Sequence, residues 1–142
     1  MRPPTERMES GIVKDLAFGL DKEDELLATI KKLDNTLERA ESNVAIFDYV
    51  GETCYVELKS RRVNKSLYYD TMVGKNKIDY AMTCDKPVYF CFNFTDGTYY
   101  WKFNQADIDN KKVSFRDGGR WDRGKSEIKP YAFIDTDILI PF

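Results

Sequence analysis

Three residues near the centre of the chain have the types and spacing that phosphoryl chemistry needs: Asp48, Glu57 and Lys59, the last two within GETCYVELKSRR at 51–62. In a strand, residues two apart share a face, so Glu57 and Lys59 point with Tyr55 while Val56 and Leu58 point the other way. A tight turn at Gly51-Glu52 sets Asp48 opposite Tyr55, on the face that carries Glu57. The two acids then form a diagonal pair with Cβ atoms roughly 7 Å apart or less, a gap that one cation can bridge. Octahedral Mg²⁺ or Mn²⁺ suits Asp48, Glu57 and the Leu58 backbone carbonyl, with waters completing the shell. A lysine beside that pair can orient or deprotonate an attacking water and offset phosphate charge. The reaction these residue types fit is hydrolysis of a phosphodiester.

The elements that must position them follow from periodicity. From Asp21 to Arg39, Leu26, Leu27, Ile30, Leu33 and Leu37 recur at helical spacing, which predicts an amphipathic helix. Glu23 lies three, four and seven residues before Leu26, Leu27 and Ile30, so it falls on the core-facing stripe and can be aimed over the end of the sheet, towards the metal. Residues 43–59 read as two strands joined at Gly51-Glu52. A second helix is expected from Asp70, with Asp70 as its cap and Met72, Val73, Ile78 and Ala81 as its apolar face. Gly74 within it marks a close backbone approach. KPVYFCFNF is a strand covered on both faces, and TDGTYYWKF returns across an Asp96-Gly97 turn. A strand at 112–115, a Gly-rich loop and an apolar run at 131–140 complete the chain.

Composition narrows the chemistry further. The 142-residue length suits one domain, with a core at 19–103 and a C-terminal elaboration at 104–142. No apolar run is long enough to span a bilayer, and the N-terminus lacks the apolar core of a secretion signal, so an intracellular protein without membrane contact is expected. Cys54, Cys84 and Cys91 are odd in number and lie in or beside apolar runs, as reduced, packed thiols do. The chain has no histidine, which removes Ser-His-Asp hydrolases, His-containing zinc sites and histidine-activated nucleases. Net charge is −2, but the charge is segregated: acids gather in the N-terminal third and Lys59, Arg61, Arg62, Lys65, Lys75 and Lys77 form a basic stretch. A local basic face can therefore exist on an acidic protein.

On these residues the chain resembles a known family. Asp48 followed by Glu57-Leu58-Lys59 after a short hairpin resembles the D…(D/E)xK signature of the PD-(D/E)xK, or restriction-endonuclease-like, nucleases. Gly19-Leu-Asp-Lys-Glu23 ahead of Leu26-Leu27 resembles the GxxxE opening of the first helix in Holliday-junction resolvases and related members. The chain as a whole is similar to small nuclease-like proteins of phages and large DNA viruses. Phe47 stands where the family often has proline, and the Asp48-to-Glu57 spacing is short. The resemblance implies an α/β fold with a mixed central sheet flanked by helices. It implies a metal-dependent endonuclease that cuts DNA and leaves a 5′-phosphate, with Asp48 and Glu57 as metal ligands, Lys59 as the catalytic lysine and Glu23 as an accessory acid. Small members of the family often act as homodimers with one site per strand. The alternative is a catalytically inactive nucleic-acid-binding or assembly module of the same fold, and the acidic balance leaves RNA open beside DNA.

The E-x-K pattern alone carries little. Asp109-Asn-Lys111 and Glu127-Ile-Lys129 also fit it, and only Glu57-Leu-Lys59 lies in a strand facing an acid of matching parity. Arg61, Arg62, Lys75 and Lys77 are candidates for phosphate contact because they follow the site, and Arg120 and Arg123 because they flank Trp121 in a Gly-rich loop. Tyr68, Tyr69, Tyr99, Tyr100 and Trp101 are expected as core and cross-strand partners rather than as base-stacking platforms.

Overall fold

The computed structural model describes residues 24–41, 45–118 and 128–142. Within them the chain builds a mixed α/β fold. Helix α1 covers 24–30 and is followed by β1 (Glu38–Arg39), β2 (Tyr49–Val50), β3 (Tyr55–Ser60), a 3₁₀ turn (Lys65–Leu67), β4 (Asp70–Gly74) and α2 (Lys75–Thr83). Then come β5 (Val88–Phe94), β6 (Gly97–Lys102), α3 (Gln105–Asp109), β7 (Val113–Gly118), β8 (Lys129–Asp135), a second 3₁₀ turn (Thr136–Ile138) and β9 (Ile140–Pro141).

The central sheet has six strands in the order β1-β2-β3-β5-β6-β9. β3 and β5 run parallel, from Tyr55 opposite Val88 to Ser60 opposite Asn93, and the other pairs are antiparallel. A parallel pair needs a crossover, and residues 61–87 supply it with β4 and α2. β5 is buried along nearly its whole length, as its unbroken apolar sequence requires. Its even-numbered side chains Phe90, Phe92 and Phe94 join Phe47, Ile78, Ala81 and Trp101 in one cluster. Cys91 joins Ile30, Leu37, Tyr49, Cys54 and Val56 in a second cluster on the other face. α2 thus covers one face of the sheet and α1 the other.

Five expectations change. The first helix ends at residue 30 rather than 39, because Lys32 N–H and Leu33 N–H bond three residues back to Thr29 and Ile30, which tightens the last turn. The Asp34 carboxylate then bonds the N–H and hydroxyl of Thr36, fixing a turn in place of another helical one. Leu37 reaches the core from this turn. The hairpin connection is also longer: Tyr49 opposes Val56 and Val50 opposes Tyr55, leaving 51–54 as the turn, with Gly51 N–H bonded to the Cys54 carbonyl. Gly51 is required there, since a Cβ would lie 2.7 Å from Asp34 Oδ2.

The third change is at 70–74, expected as the start of a helix capped by Asp70. These residues form β4, whose alternating burial places Thr71 and Val73 inward against β8, and α2 begins only at Lys75 with Gly74 as its cap. The fourth is the C-terminal elaboration, whose expected strand at 112–115 and apolar run at 131–140 join β4 in a three-stranded sheet, β4-β8-β7. Val73, Val113, Ala132 and Ile134 of that sheet share the cluster built on Phe90 and Phe92, so the two sheets pack on one core. The β5–β6 turn is Thr95-Asp96, one residue earlier than expected, with Phe94 opposite Gly97. Cys54 and Cys91 are buried free thiols and Cys84 is partly buried, as packed, reduced cysteines should be. Burial pushes the Cys91 thiol well above its ordinary range.

Candidate active site

The four-residue turn moves the pairing of β2 by two positions relative to the expected register, and a shift of two leaves every side chain on its own face. Asp48 lies just beyond the Tyr49–Val56 pair in a bend rather than a strand: Phe47 packs with Phe90 on one face while Tyr49 packs with Val56 on the other, so the period-two alternation does not carry through it. The ladder stops there, and the Asp48 carboxylate takes over from a missing strand partner: its Oδ2 accepts the Leu58 N–H at 2.9 Å. The N–H and carbonyl of one strand residue leave on the same edge, so the Leu58 carbonyl also opens towards Asp48. Asp48 is thereby fixed at the β3 edge beside Leu58, in a cleft with Leu26, Tyr49 and Ser60, and its charge acts on Glu57.

Glu57 sits in the layer of Tyr55, Phe47 and Phe90 and is 1% exposed. Lys59 Nζ lies 3.1 Å from its Oε2. The other oxygen, Oε1, is buried and has no hydrogen-bond donor among the described residues; Lys77 Nζ, at 3.6 Å, is within ion-pair reach but beyond a hydrogen bond. Burial, and then the charge of Asp48, push the Glu57 carboxyl above its usual range against the opposing pull of Lys59 and Lys77. An acid so placed is not there for stability alone. Removing it from water costs free energy that two partly exposed lysines do not fully offset.

This orphaned oxygen is the observation on which a cation can be tested. Oε1 of Glu57, the Asp48 carboxylate and the Leu58 carbonyl are hard oxygen donors of the kind Mg²⁺ and Mn²⁺ take, and Mg²⁺ commonly binds through one or two carboxylates with waters filling the rest. The donor set fits. Among the described residues there is no group of three or more His, Cys, Asp or Glu side chains that could hold a metal, so the described residues offer such a site no more than the two carboxylates of Asp48 and Glu57. Glu23, expected as an accessory acid, lies outside the described residues, as do Arg120 and Arg123.

The lysine side of the site is richer than the sequence suggested. Lys77, expected to meet nucleic acid, is held inward from α2: its ammonium donates to the Ile46 carbonyl and lies 6.0 Å from the Phe47 ring centroid as well as beside Glu57. Lys59, Arg61, Lys77 and Lys129 line one pocket of about 310 Å³, with Asn76 and Tyr131 on its wall and no carboxylate among its lining residues. Lys129 and Tyr131 come from β8 and were not anticipated; only the pairing of β8 with β4, far apart in sequence, brings them here. Arg61 is fixed by donating Nη2 to the Met72 carbonyl at 2.6 Å, and burial draws its pKa below the usual arginine range. Arg62 is exposed. Lys75 is turned away into an ion pair with Asp79, 3.1 Å distant, one helical turn on.

A buried carboxylate with an orphaned oxygen, a second acid at the strand edge, a lysine and a pocket lined by cations together suit a negatively charged ester better than an apolar ligand. Comparison with protein families points the same way. The family model described as "Phage putative PDDEXK endonuclease" matches residues 21–140, most of the chain. Among solved structures, the Holliday junction resolvase Hjc of Archaeoglobus fulgidus, an archaeal hyperthermophile, is similar at 14% identity and a TM-score of 0.46, covering 84% of this chain and 92% of that one. No curated protein matches the chain. With its family model spanning Asp48, Glu57 and Lys59 and nearly all of the described structure, the chain belongs to the phage PDDEXK endonuclease family.

Proposed function

We propose that the protein is a divalent-metal-dependent endonuclease that hydrolyses DNA phosphodiester bonds at the Asp48–Glu57–Lys59 edge of the central sheet. The observation that carries this reading is Glu57: 1% exposed, with one oxygen on Lys59 and the other lacking a donor among the described residues, beside a basic pocket. Mg²⁺ or Mn²⁺ held by Asp48, Glu57 and the Leu58 carbonyl would supply positive charge against the negative charge that develops on the phosphate. Lys59, partly exposed at the mouth of the site, orients the attacking water and can take its proton. Lys77 and Lys129 hold the phosphate oxygens in the basic pocket, and Arg61, fixed by Met72, marks its far wall. Glu23 is the candidate for an accessory acid.

The second reading, an inactive clamp of the same fold, is favoured by one feature: Lys59 and Lys77 already lie against both oxygens of Glu57, so the acid has cationic neighbours without a metal. The two readings part on turnover. Linear, branched and single-stranded DNA should be cut in Mg²⁺ or Mn²⁺ by the wild type and not by Lys59→Ala folded to the same degree. Binding without metal-dependent cutting would establish the clamp. Equal cutting by both proteins would remove Lys59 from the reaction.

A further inference from the structure

Beside the basic pocket lies a second pocket of about 310 Å³, and Arg61 and Met72 line both. Its size is at the small end for ligand sites, which run from about 300 to 1,000 Å³. Val63, Met72, Phe94 and Phe133 make it apolar, and Tyr68 completes the wall. Its charged lining is cationic in balance: Arg61, Arg62 and Lys65 face one acid, Asp70, which is already paired with Arg116 Nη2 at 2.9 Å. Aromatic and apolar walls with a cationic margin are what a nucleobase on its phosphate chain requires.

The loop that presents Tyr68 is fastened along its length. Thr95 N–H bonds the Val63 carbonyl at 3.1 Å, Lys65 N–H bonds Asp96 Oδ1 at 3.0 Å and Thr136 N–H bonds the Tyr69 carbonyl at 2.9 Å. On this fixed backbone Leu67, Tyr68 and Tyr69 are 58%, 61% and 80% exposed. Three consecutive large apolar side chains held into solvent by a pinned loop form a binding surface rather than a lapse of packing. This reverses the sequence expectation for Tyr68 and Tyr69, while Trp101 is buried as foreseen.

We propose that this second pocket receives one unpaired base of the DNA strand whose phosphate lies at Lys59, so that the substrate is DNA with an unpaired or extruded base beside the scissile bond rather than uninterrupted duplex. The proposal rests on the nuclease reading above and adds the substrate class. Lys59 and Arg61 are two residues apart along an extended chain, about 7 Å, so a nucleotide held by its phosphate at the first reaches past the second with its base. Tyr68 stacks on the base and the Arg61 guanidinium closes the pocket on the phosphate side.

The test compares two DNA duplexes of equal length and sequence, one fully paired and one with a single unpaired base, with Ca²⁺ in place of Mg²⁺ for binding and Mg²⁺ for cleavage. The wild type should prefer the duplex with the unpaired base, and Tyr68→Ala should lower that preference by about 5- to 100-fold, the worth of one stacked base. Tyr68→Trp should keep it, and 2-aminopurine at the unpaired position should be quenched by the wild type more than by Tyr68→Ala. Equal preference in wild type and Tyr68→Ala, with metal-dependent cutting of both duplexes, overturns the base pocket and leaves the nuclease standing. No binding or cutting of either duplex overturns both. A change in sedimentation of Tyr68→Ala without a change in preference would assign this surface to a contact between copies of the chain and likewise overturn the proposal.

Discussion

At the turn end of the β2–β3 hairpin, Asp34 accepts four hydrogen bonds: from Thr36 N–H at 2.8 Å, the Thr36 hydroxyl at 2.5 Å, Thr53 N–H at 2.9 Å and the Thr53 hydroxyl at 2.6 Å. At the open end, Glu57 is far more buried and has one oxygen without a donor among the described residues. The two acids respond in opposite directions. Hydrogen bonding, led by the Thr36 hydroxyl, holds the Asp34 carboxyl well below the usual range, and burial holds Glu57 above it. A short stretch of chain thus contains a carboxylate whose charge the fold has stabilised and one whose charge the fold has left expensive. The first ties the end of α1 to the hairpin turn. The second keeps an oxygen that no donor among the described residues fills.

The largest expected effect breaks the second acid. Glu57→Gln keeps the shape of the side chain and removes its charge, and cleavage should fall about 10³-fold, several kcal/mol of lost electrostatic stabilisation. Stability in metal-free buffer should hold or rise, because the ionised form is the costly one. Mg²⁺ or Mn²⁺ at a hundredfold excess over its dissociation constant should stabilise the wild type by about 2.7 kcal/mol, and the variant by little. A variant that unfolds at lower urea than the wild type in chelator would instead make Glu57 the hub of a structural ion-pair cluster with Lys59 and Lys77.

Next come changes at the first acid, which should cost stability without touching cleavage. Gly51→Ala places a methyl group 2.7 Å from Asp34 Oδ2 and 3.1 Å from Leu37 Cδ2, and overpacking of this kind costs about 1–3 kcal/mol. The pH dependence separates the two acids. Asp34 has a depressed folded pKa, so its stabilisation is complete above its unfolded value, about 3.9, and is lost as pH falls through the folded one. Glu57 has a raised folded pKa, so its contribution is favourable below its unfolded value, about 4.3, and disappears as pH rises through the folded one. In urea titrations from pH 3 to 8, the deficit of Asp34→Asn relative to wild type should shrink in acid, and any advantage of Glu57→Gln should grow towards neutrality. Parallel curves for both variants would undo the contrast between them.

How much of this could be read from sequence depends on the range of the interaction. The common face of Glu57 and Lys59 was legible because side-chain direction alternates with period two along β3, whereas the facing of Asp48 was not, because the chain bends at 46–48 and its carboxylate turns to the Leu58 N–H at the strand edge. The end of α1 was not, because apolar spacing continues through Leu33 and Leu37 while the local Asp34–Thr36 bonds decide the backbone. β4 was read as helix because Met72, Val73, Ile78 and Ala81 mimic a helical face; its pairing with β8, about 60 residues on, overrides that pattern. The same long-range pairing delivers Lys129 and Tyr131 to the basic pocket. Tyr68 and Tyr69 read as core because aromatics usually are, and only the pinning of their carbonyls to Thr136 explains how they stay outside.

The smallest expected effect sharpens the comparison within the site itself, between two lysines one residue apart from facing the same way. Lys75 and Lys77 both begin α2 and were equal candidates for phosphate contact, yet Lys75 is paired with Asp79 on the helix surface and Lys77 with Glu57 beneath the basic pocket. A surface pair at i,i+4 is worth about 0.3–0.5 kcal/mol, so Lys75→Ala should change cleavage by about twofold or less. Lys77→Ala removes a charged donor that both anchors Ile46 and faces the phosphate, and one such interaction corresponds to a loss of about tenfold or more. If the two variants lose activity equally, the role of α2 would be general attraction of DNA to a basic helix end, and the inward turn of Lys77 would be a matter of packing on Phe47.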